Sequence, residues 1–250
     1  MSLPTTLRVE NICKIFGRVA AVDHLSCEVR RGELLGIIGP NGSGKTTLVN
    51  LISGFVKPTS GRILYNGQDI TRTAPHKIVC MGISRTFQMV RPFYQLPAYK
   101  NMIIPLYSPR IRQLAGGRYG DSNAVALDLL EEVGFERDAH VAYKPAGTLP
   151  QGYLKRLELA KAIALSPDLL ILDELFSGLS LAEVASIVPV IEKLRLAGKT
   201  IIMIEHRLKE LFRIADRIMV LNYGRKIAEG ASAEVMESEE VKKAYLGSEE

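Results

Sequence analysis

The 250-residue chain holds only three cysteines, Cys13, Cys27 and Cys80, an odd number with no Cys-x-x-Cys spacing. That scarcity excludes a disulfide framework and a thiolate metal cluster, and fits free thiols in a reducing compartment. No apolar run approaches the roughly 18 to 20 residues that cross a bilayer. The start, MSLPTTLRVE, lacks the basic-then-apolar order of a secretion signal. Repeats and low-complexity tracts are also missing. No more than two basic residues stand together, as at Arg30-Arg31 and Lys242-Lys243, so the net charge of +5 reads as a slightly basic surface with no nucleic-acid patch. These absences predict a soluble, cytoplasmic chain with no nucleic-acid partner. At 47% hydrophobic and 24% charged residues, it has the composition of one large globular domain.

The pattern along the chain predicts an α/β fold. Residues 5 to 38 alternate between apolar and polar and read as short antiparallel strands, ending in a turn and a buried strand in RGELLGIIG, 31 to 39. A helix is expected from Lys45 to about Ser53. In SGRILYNGQDI, 60 to 70, the Asn66-Gly67 pair marks a tight turn between strands. Residues 89 to 147 change character, with prolines at 92, 97, 105, 109 and 145, a flexible AGGRYG, and a helix in DSNAVALDLLEEVG capped by Asp121 or Ser122. After Lys155 helices alternate with the strands DLLILDE, TIIMIEH and DRIMVLNYG, which implies a mostly parallel sheet covered on both faces. The division expected is a core of 1–88 and 156–250, with an antiparallel β part, and a helical subdomain inserted at 89–155.

GPNGSGKT, 39 to 46, fits the spacing G-x-x-x-x-G-K-[ST] at every defined position, after an apolar strand and before a helix. Glycines let the backbone approach an anion, with N–H groups pointing inward. Lys45 reaches the terminal phosphates of a nucleoside triphosphate, and Thr46 offers a hydroxyl to Mg²⁺. The fold expected is therefore a P-loop NTPase core, with Gly39, Pro40, Asn41, Gly42, Ser43, Gly44, Lys45, Thr46 and Thr47 binding nucleotide. LLILDE, 169 to 174, ends a buried strand in two carboxylates. Beside a phosphate loop, Asp173 reads as an Mg²⁺ holder and Glu174 as the group that orients and deprotonates water. His206, closing TIIMIEH, is a third candidate, since α/β sites gather at the C-terminal ends of parallel strands. A structural histidine is the competing reading. The guanine signature Asn-Lys-x-Asp is absent; the nearest string, NGQD at 66 to 69, lies in the turn.

GPNGSGKTT, RTFQ at 85 to 88, LPQG at 149 to 152, LLILDE and IEH stand in one order that resembles the ATPase subunit of ABC transporters over the whole chain. RTFQMVRPF, IADRIMVLNYGRKIAEG and VKKAYLG are most similar to the subunits that energise branched-chain amino-acid importers. The resemblance implies ATP and Mg²⁺ as cofactors, adenine stacked on Phe16, Gln88 on Mg²⁺ and the attacking water, Glu174 as general base and His206 on the γ-phosphate. It implies that SGLS, 177 to 180, crosses to a partner cassette. It also implies that about 90 to 115 docks on a membrane-embedded permease, which places the chain peripherally on the inner face of the cell membrane. The alternatives are a soluble ABC ATPase and a weakly hydrolysing regulator not coupled to transport.

Cassettes of this family pair head to tail, each ATP lying between one phosphate loop and the other chain's signature, typically Ser-Gly-Gly-Gln. Here PQGY occupies that place. Gly152 matches, Pro150 replaces serine, Gln151 the first glycine and Tyr153 the glutamine, and Leu175 follows Glu174 where proline is usual. With Gln151 and Gly152 still offering backbone N–H groups at a helix start, the expectation is a weakened anion site and a preference for a heterodimer over a homodimer.

Overall fold

Two sheets organise the computed structural model, which describes residues 4–115, 121–137 and 139–246. Most of AGGRYG, residues 116–120, lies outside the described residues. The strands are β1 Thr5–Phe16, β2 Val19–Arg30, β3 Leu34–Ile38, β4 Ser60–Tyr65, β5 Gln68–Asp69, β6 Ile83–Arg85, β7 Leu169–Asp173, β8 Thr200–Ile204, β9 Arg217–Asn222 and β10 Arg225–Gly230. The helices are α1 Lys45–Ile52, α2 Pro75–Met81, α3 Ile103–Leu106, α4 Pro109–Leu114, α5 Ser122–Glu132, α6 Gln151–Ile163, α7 Leu181–Leu196, α8 Leu208–Ile214, α9 Ser232–Glu237 and α10 Glu239–Leu246. The antiparallel sheet runs β2-β1-β4-β5, and the larger sheet β10-β9-β3-β8-β7-β6. In the larger sheet the five strands from β9 to β6 are parallel, and β10 is an antiparallel edge.

The strands β3, β7 and β8 are buried at every position. Period-2 alternation splits them between two cores. Leu34, Ile38, Leu170, Leu172, Ile201 and Met203 face one cluster, shared with α6, α7 and the helices of 98–149. Leu35, Ile37, Leu169, Ile171, Ile202 and Ile204 face the other, where α1 lies under the antiparallel sheet.

Several expectations differ in detail. β1 and β2 are twelve residues each rather than short strands, with register breaks where Asn11 and His24 take positive φ. β6 and β10 carry no sequence signal: β6 is three residues long, and β10 is only half buried with no alternation. Asn66 and Gly67 have φ of 47° and 80°, the left-handed pair a type I′ turn requires. Asp121 is the cap of α5, its carboxylate accepting from the Asn123 and Ala124 N–H groups. α6 runs unbroken across residues 155 and 156.

Ile202 is 1% exposed on the central strand β8, in the core it shares with α1 and the antiparallel sheet. Ile202→Ala should cost about 2 to 5 kcal/mol of unfolding free energy. Urea denaturation checks this, and a loss below about 1 kcal/mol would mean that this layer is loosely packed.

Candidate active site

Four parallel strands deliver the candidate residues to one edge. β3 ends at Gly39, β7 at Asp173 and Glu174, β8 before Glu205 and His206, and β6 before Thr86 to Gln88. Because the order is β3-β8-β7-β6, the C-terminal ends lie side by side, where α/β sheets bind ligands.

The phosphate loop turns from β3 into α1 under tight steric limits. A Cβ on Gly39 would stand 2.2 Å from the Leu221 carbonyl oxygen, and one on Gly44 2.4 Å from that of Ala21, with φ of 152° and 102°. Only glycine satisfies both. Lys45 is buried, and its Nζ donates to the carbonyl oxygens of Gly39 at 2.7 Å and Pro40 at 3.0 Å. Burial pushes the Lys45 ammonium below the usual lysine range, while Glu174 and Asp173 act to raise it. Ser43 Oγ, in the same loop, is buried without a hydrogen-bond partner. An ammonium satisfied only by its own loop and an orphaned hydroxyl are what an anion-binding loop leaves when its own atoms fill the cradle.

Glu174 is at the centre of the polar contacts. Its Oε2 accepts from Gln88 Nε2 at 2.7 Å and its Oε1 lies 3.1 Å from His206 Nε2. The residue has φ of 50°, an uncommon conformation for a non-glycine residue that is often found at functional sites. The structure thus brings Glu174, Gln88 and His206 together. Asp173 is engaged differently: Arg85 Nη2 donates to its Oδ2 at 2.6 Å, with side chains 7% and 3% exposed. Removing either partner of a buried ion pair costs about 3 to 5 kcal/mol. Thr46, Gln88 and Asp173 line one cavity of about 460 Å³. Their hydroxyl, amide and carboxylate oxygens are hard donors of the kind Mg²⁺ takes.

Phe16 closes β1 and is 49% exposed, so it is not a core residue; Lys14 Nζ lies 4.8 Å from the ring centroid. Gln151 and Gly152 open α6. Pro150 is the N-cap and supplies no side-chain bond. A Cβ on Gly152 would lie 2.1 Å from Glu183 Oε1; Glu183 belongs to the capping box of α7 with Ser180. A carboxylate therefore already stands at this helix start.

Arg85, Lys155 and Glu205 are parts of the site that motif reading passed over. Lys155 Nζ donates to the carbonyl oxygens of Gln88 and Glu174, each at 3.0 Å. Glu205 is 2% exposed, and its Oε1 accepts from Phe176 N–H at 2.8 Å. Burial pushes the Glu205 carboxyl from 4.5 up to about 8; the Phe176 and His206 N–H groups and Lys155 lower it, and Glu174 raises it. The one signal in the sequence is a charged residue inside an otherwise apolar face.

Two measurements follow from this geometry. Lys45→Ala should weaken ATP binding by about 10²-fold or more, since charge-assisted hydrogen bonds to phosphate are lost. Calorimetry reads the affinity and circular dichroism the intact fold; near-normal affinity would mean the loop does not hold phosphates. Glu205 gives a pH signature. Below pH 4.5 it is protonated folded and unfolded alike. Between 4.5 and about 8 the unfolded chain releases the proton while the folded chain keeps it, so stability falls as pH rises, and above about 8 the loss is complete. In Glu205→Gln that loss is absent. The melting temperature of the variant minus that of the wild type should grow from pH 5 to 8 and then level off, whereas a constant difference would contradict the assignment.

The family model described as "ABC transporter" matches residues 22–177, and the model described as "Branched-chain amino acid ATP-binding cassette transporter" matches residues 225–250. The chain is 35% identical over 257 residues to the high-affinity branched-chain amino acid transport ATP-binding protein BraF of Pseudomonas aeruginosa, covering 99% of both chains. It is 32% identical to a probable branched-chain amino acid transport ATP-binding protein LivG of Archaeoglobus fulgidus, covering 98% of this chain and 96% of that one. Among solved structures, a nucleotide-free ATP-binding cassette from an ABC transporter superposes with a TM-score of 0.86 at 31% identity, over 97% of this chain and 99% of that one. A second solved cassette structure, the ADP conformation of MJ1267, gives 0.84 at 32% identity with the same coverage. The chain belongs to the ABC transporter family, as one of its ATP-hydrolysing ATP-binding cassettes.

Proposed function

We propose that the chain energises an importer of amino acids such as the branched-chain ones, paired with a second, different cassette and docked on membrane-embedded permease subunits at the inner face of the cell membrane. The observation that carries the ATPase part is the Glu174 carboxylate, with one oxygen toward Gln88 and the other toward His206, at the sheet edge that also bears the phosphate loop. The substrate class rests on the relatives: BraF and LivG are branched-chain amino acid transport proteins.

In this reading Lys45 exchanges the carbonyl oxygens of Gly39 and Pro40 for the β- and γ-phosphates of ATP. Phe16 stacks on adenine. Thr46, Gln88 and Asp173 would hold Mg²⁺, which would supply positive charge to the phosphates. Glu174 accepts the proton of the attacking water, while Gln88 and His206 fix the plane of its carboxylate so that a lone pair faces the water. His206 then faces the charge that develops on the γ-phosphate. Among the described residues no helix is long and apolar enough to cross a membrane. Docking falls to the 90–115 stretch, where Phe93, Tyr94 and Ile104 are exposed and offer apolar side chains to a partner.

The preference for a different partner comes from residues 150–153. A missing serine hydroxyl removes a hydrogen bond worth about 1.5 to 3 kcal/mol, which weakens the composite site about ten- to a hundred-fold. The Glu183 carboxylate beside Gly152 adds repulsion to an approaching phosphate. The partner's signature would complete this chain's own phosphate loop.

Glu174→Gln should bind ATP and lose about 10² to 10⁴ in turnover, because the amide keeps the shape but accepts no proton. Wild-type turnover in that variant would place the base elsewhere. In the same background, Pro150→Ser with Gln151→Gly should strengthen ATP-driven self-association measured by light scattering. Tight homodimers with PQGY unchanged would argue that the loop is a working variant and remove the case for a heterodimer.

A further inference from the structure

Lys155 is 2% exposed and lies one turn inside α6, on the face formed by Gly152, Lys155, Leu159 and Ala162, all buried. A buried ammonium is costly unless its N–H groups find acceptors. Hydrocarbon of the same length would fill the space without that cost, so the charge is there for its contacts. The two acceptors are the carbonyl oxygens of Gln88 and Glu174, at 3.0 Å each and 67 and 19 residues away in sequence. They belong to the two residues whose side chains are themselves joined at 2.7 Å. Backbone and side-chain bonds thus close a ring: Lys155 to Gln88, Gln88 to Glu174, Glu174 back to Lys155. Burial disfavours the ammonium, and the carboxylates of Glu205 after β8, Glu174 after β7, Asp173 at the end of β7 and Glu158 on its own helix favour it.

We propose that Lys155 is a positioning residue that ties the alignment of Glu174 and Gln88 to the placement of α6, and so makes hydrolysis in this chain's own site depend on the ATP that residues 150–153 contact in the partner. The proposal rests on the head-to-tail pairing described above. α6 is thirteen residues long, and Lys155 follows Gln151 by about 6 Å along its axis. A helix is stiff over that length, so a shift of its first turn arrives at Nζ little diminished. A displacement of about 1 Å breaks hydrogen bonds of this length, and misplacing a reacting group by that much costs about 10²-fold in rate. The connection runs through backbone carbonyls, so it moves the whole of Gln88 and Glu174 without occupying the side-chain atoms that meet water and phosphate.

The test compares Lys155→Met and Lys155→Arg with wild type, each assembled with the partner cassette and membrane subunits. Met keeps the length and removes the donors; Arg keeps the charge and the N–H groups. The expected result is a ten- to hundred-fold fall in kcat for Met (about the cost of a misplaced base), with KM and the calorimetric ATP dissociation constant close to wild type, and substantial recovery of kcat in Arg. A role in folding alone would lower kcat, affinity and melting temperature together, and would overturn the proposal, as would wild-type kcat in Met. If Met does not fold, Lys155→Gln, neutral and of similar length, replaces it under the same criteria. A wild-type assembly without ATPase activity would instead refute the transport reading, and the Lys155 proposal with it.

Discussion

The site depends first on a buried cation. Lys45 enters the protein interior at the foot of α1 because the loop before it is shaped by glycines that tolerate no side chain at residues 39 and 44. Its ammonium is held by the carbonyl oxygens of Gly39 and Pro40. A desolvated positive charge of this kind sets the sign of everything around it. The carboxylates of Asp173 and Glu174 face it from the end of β7, two strands away across β8. The parallel register that brings those ends together comes from apolar runs alone.

A second tier of charges holds the first in place. Arg85 anchors Asp173, Lys155 anchors the backbones of Gln88 and Glu174, and Glu205 anchors the Phe176 N–H. Each comes from a different element. Together they tie the loops after β6, β7 and β8 to one another by hydrogen bonds, beside the core contacts that Leu175, Phe176 and Leu179 make from the loop after β7. On the two faces of the sheet, alternate residues of β3, β7 and β8 enter separate cores.

What was legible in the sequence was local. GPNGSGKT is readable because a tight turn at the end of a strand forces glycine at fixed spacing. The strands β7, β8 and β9 are readable because both of their faces are buried. The Asn66-Gly67 turn and the Asp121 cap are readable from single residues. β6 is too short to have a period, and β10 is half exposed without one. Lys155 and Glu205 sit inside stretches that draw notice for other residues, PQGY and His206, and their partners lie far away in sequence. A lysine at the same helical position as Gly152, Leu159 and Ala162 is nonetheless an anomaly that spacing alone can flag. The opposite holds for residues 150–153: their departure from the family signature is visible in the sequence, while the Glu183 carboxylate that stands against them is visible only in three dimensions.

The central claim is that the contacts of Lys45 with its own loop are the place where the phosphates of ATP bind. A crystal structure of the chain with a non-hydrolysable ATP analogue and Mg²⁺ tests it most directly. The account predicts that Lys45 Nζ leaves the carbonyl oxygens of Gly39 and Pro40 for the β- and γ-phosphates, with the N–H groups of residues 42 to 46 about 3 Å from phosphate oxygens and Glu174 beside the γ-phosphate. A nucleotide bound elsewhere, with Lys45 still on those two carbonyls, would contradict it.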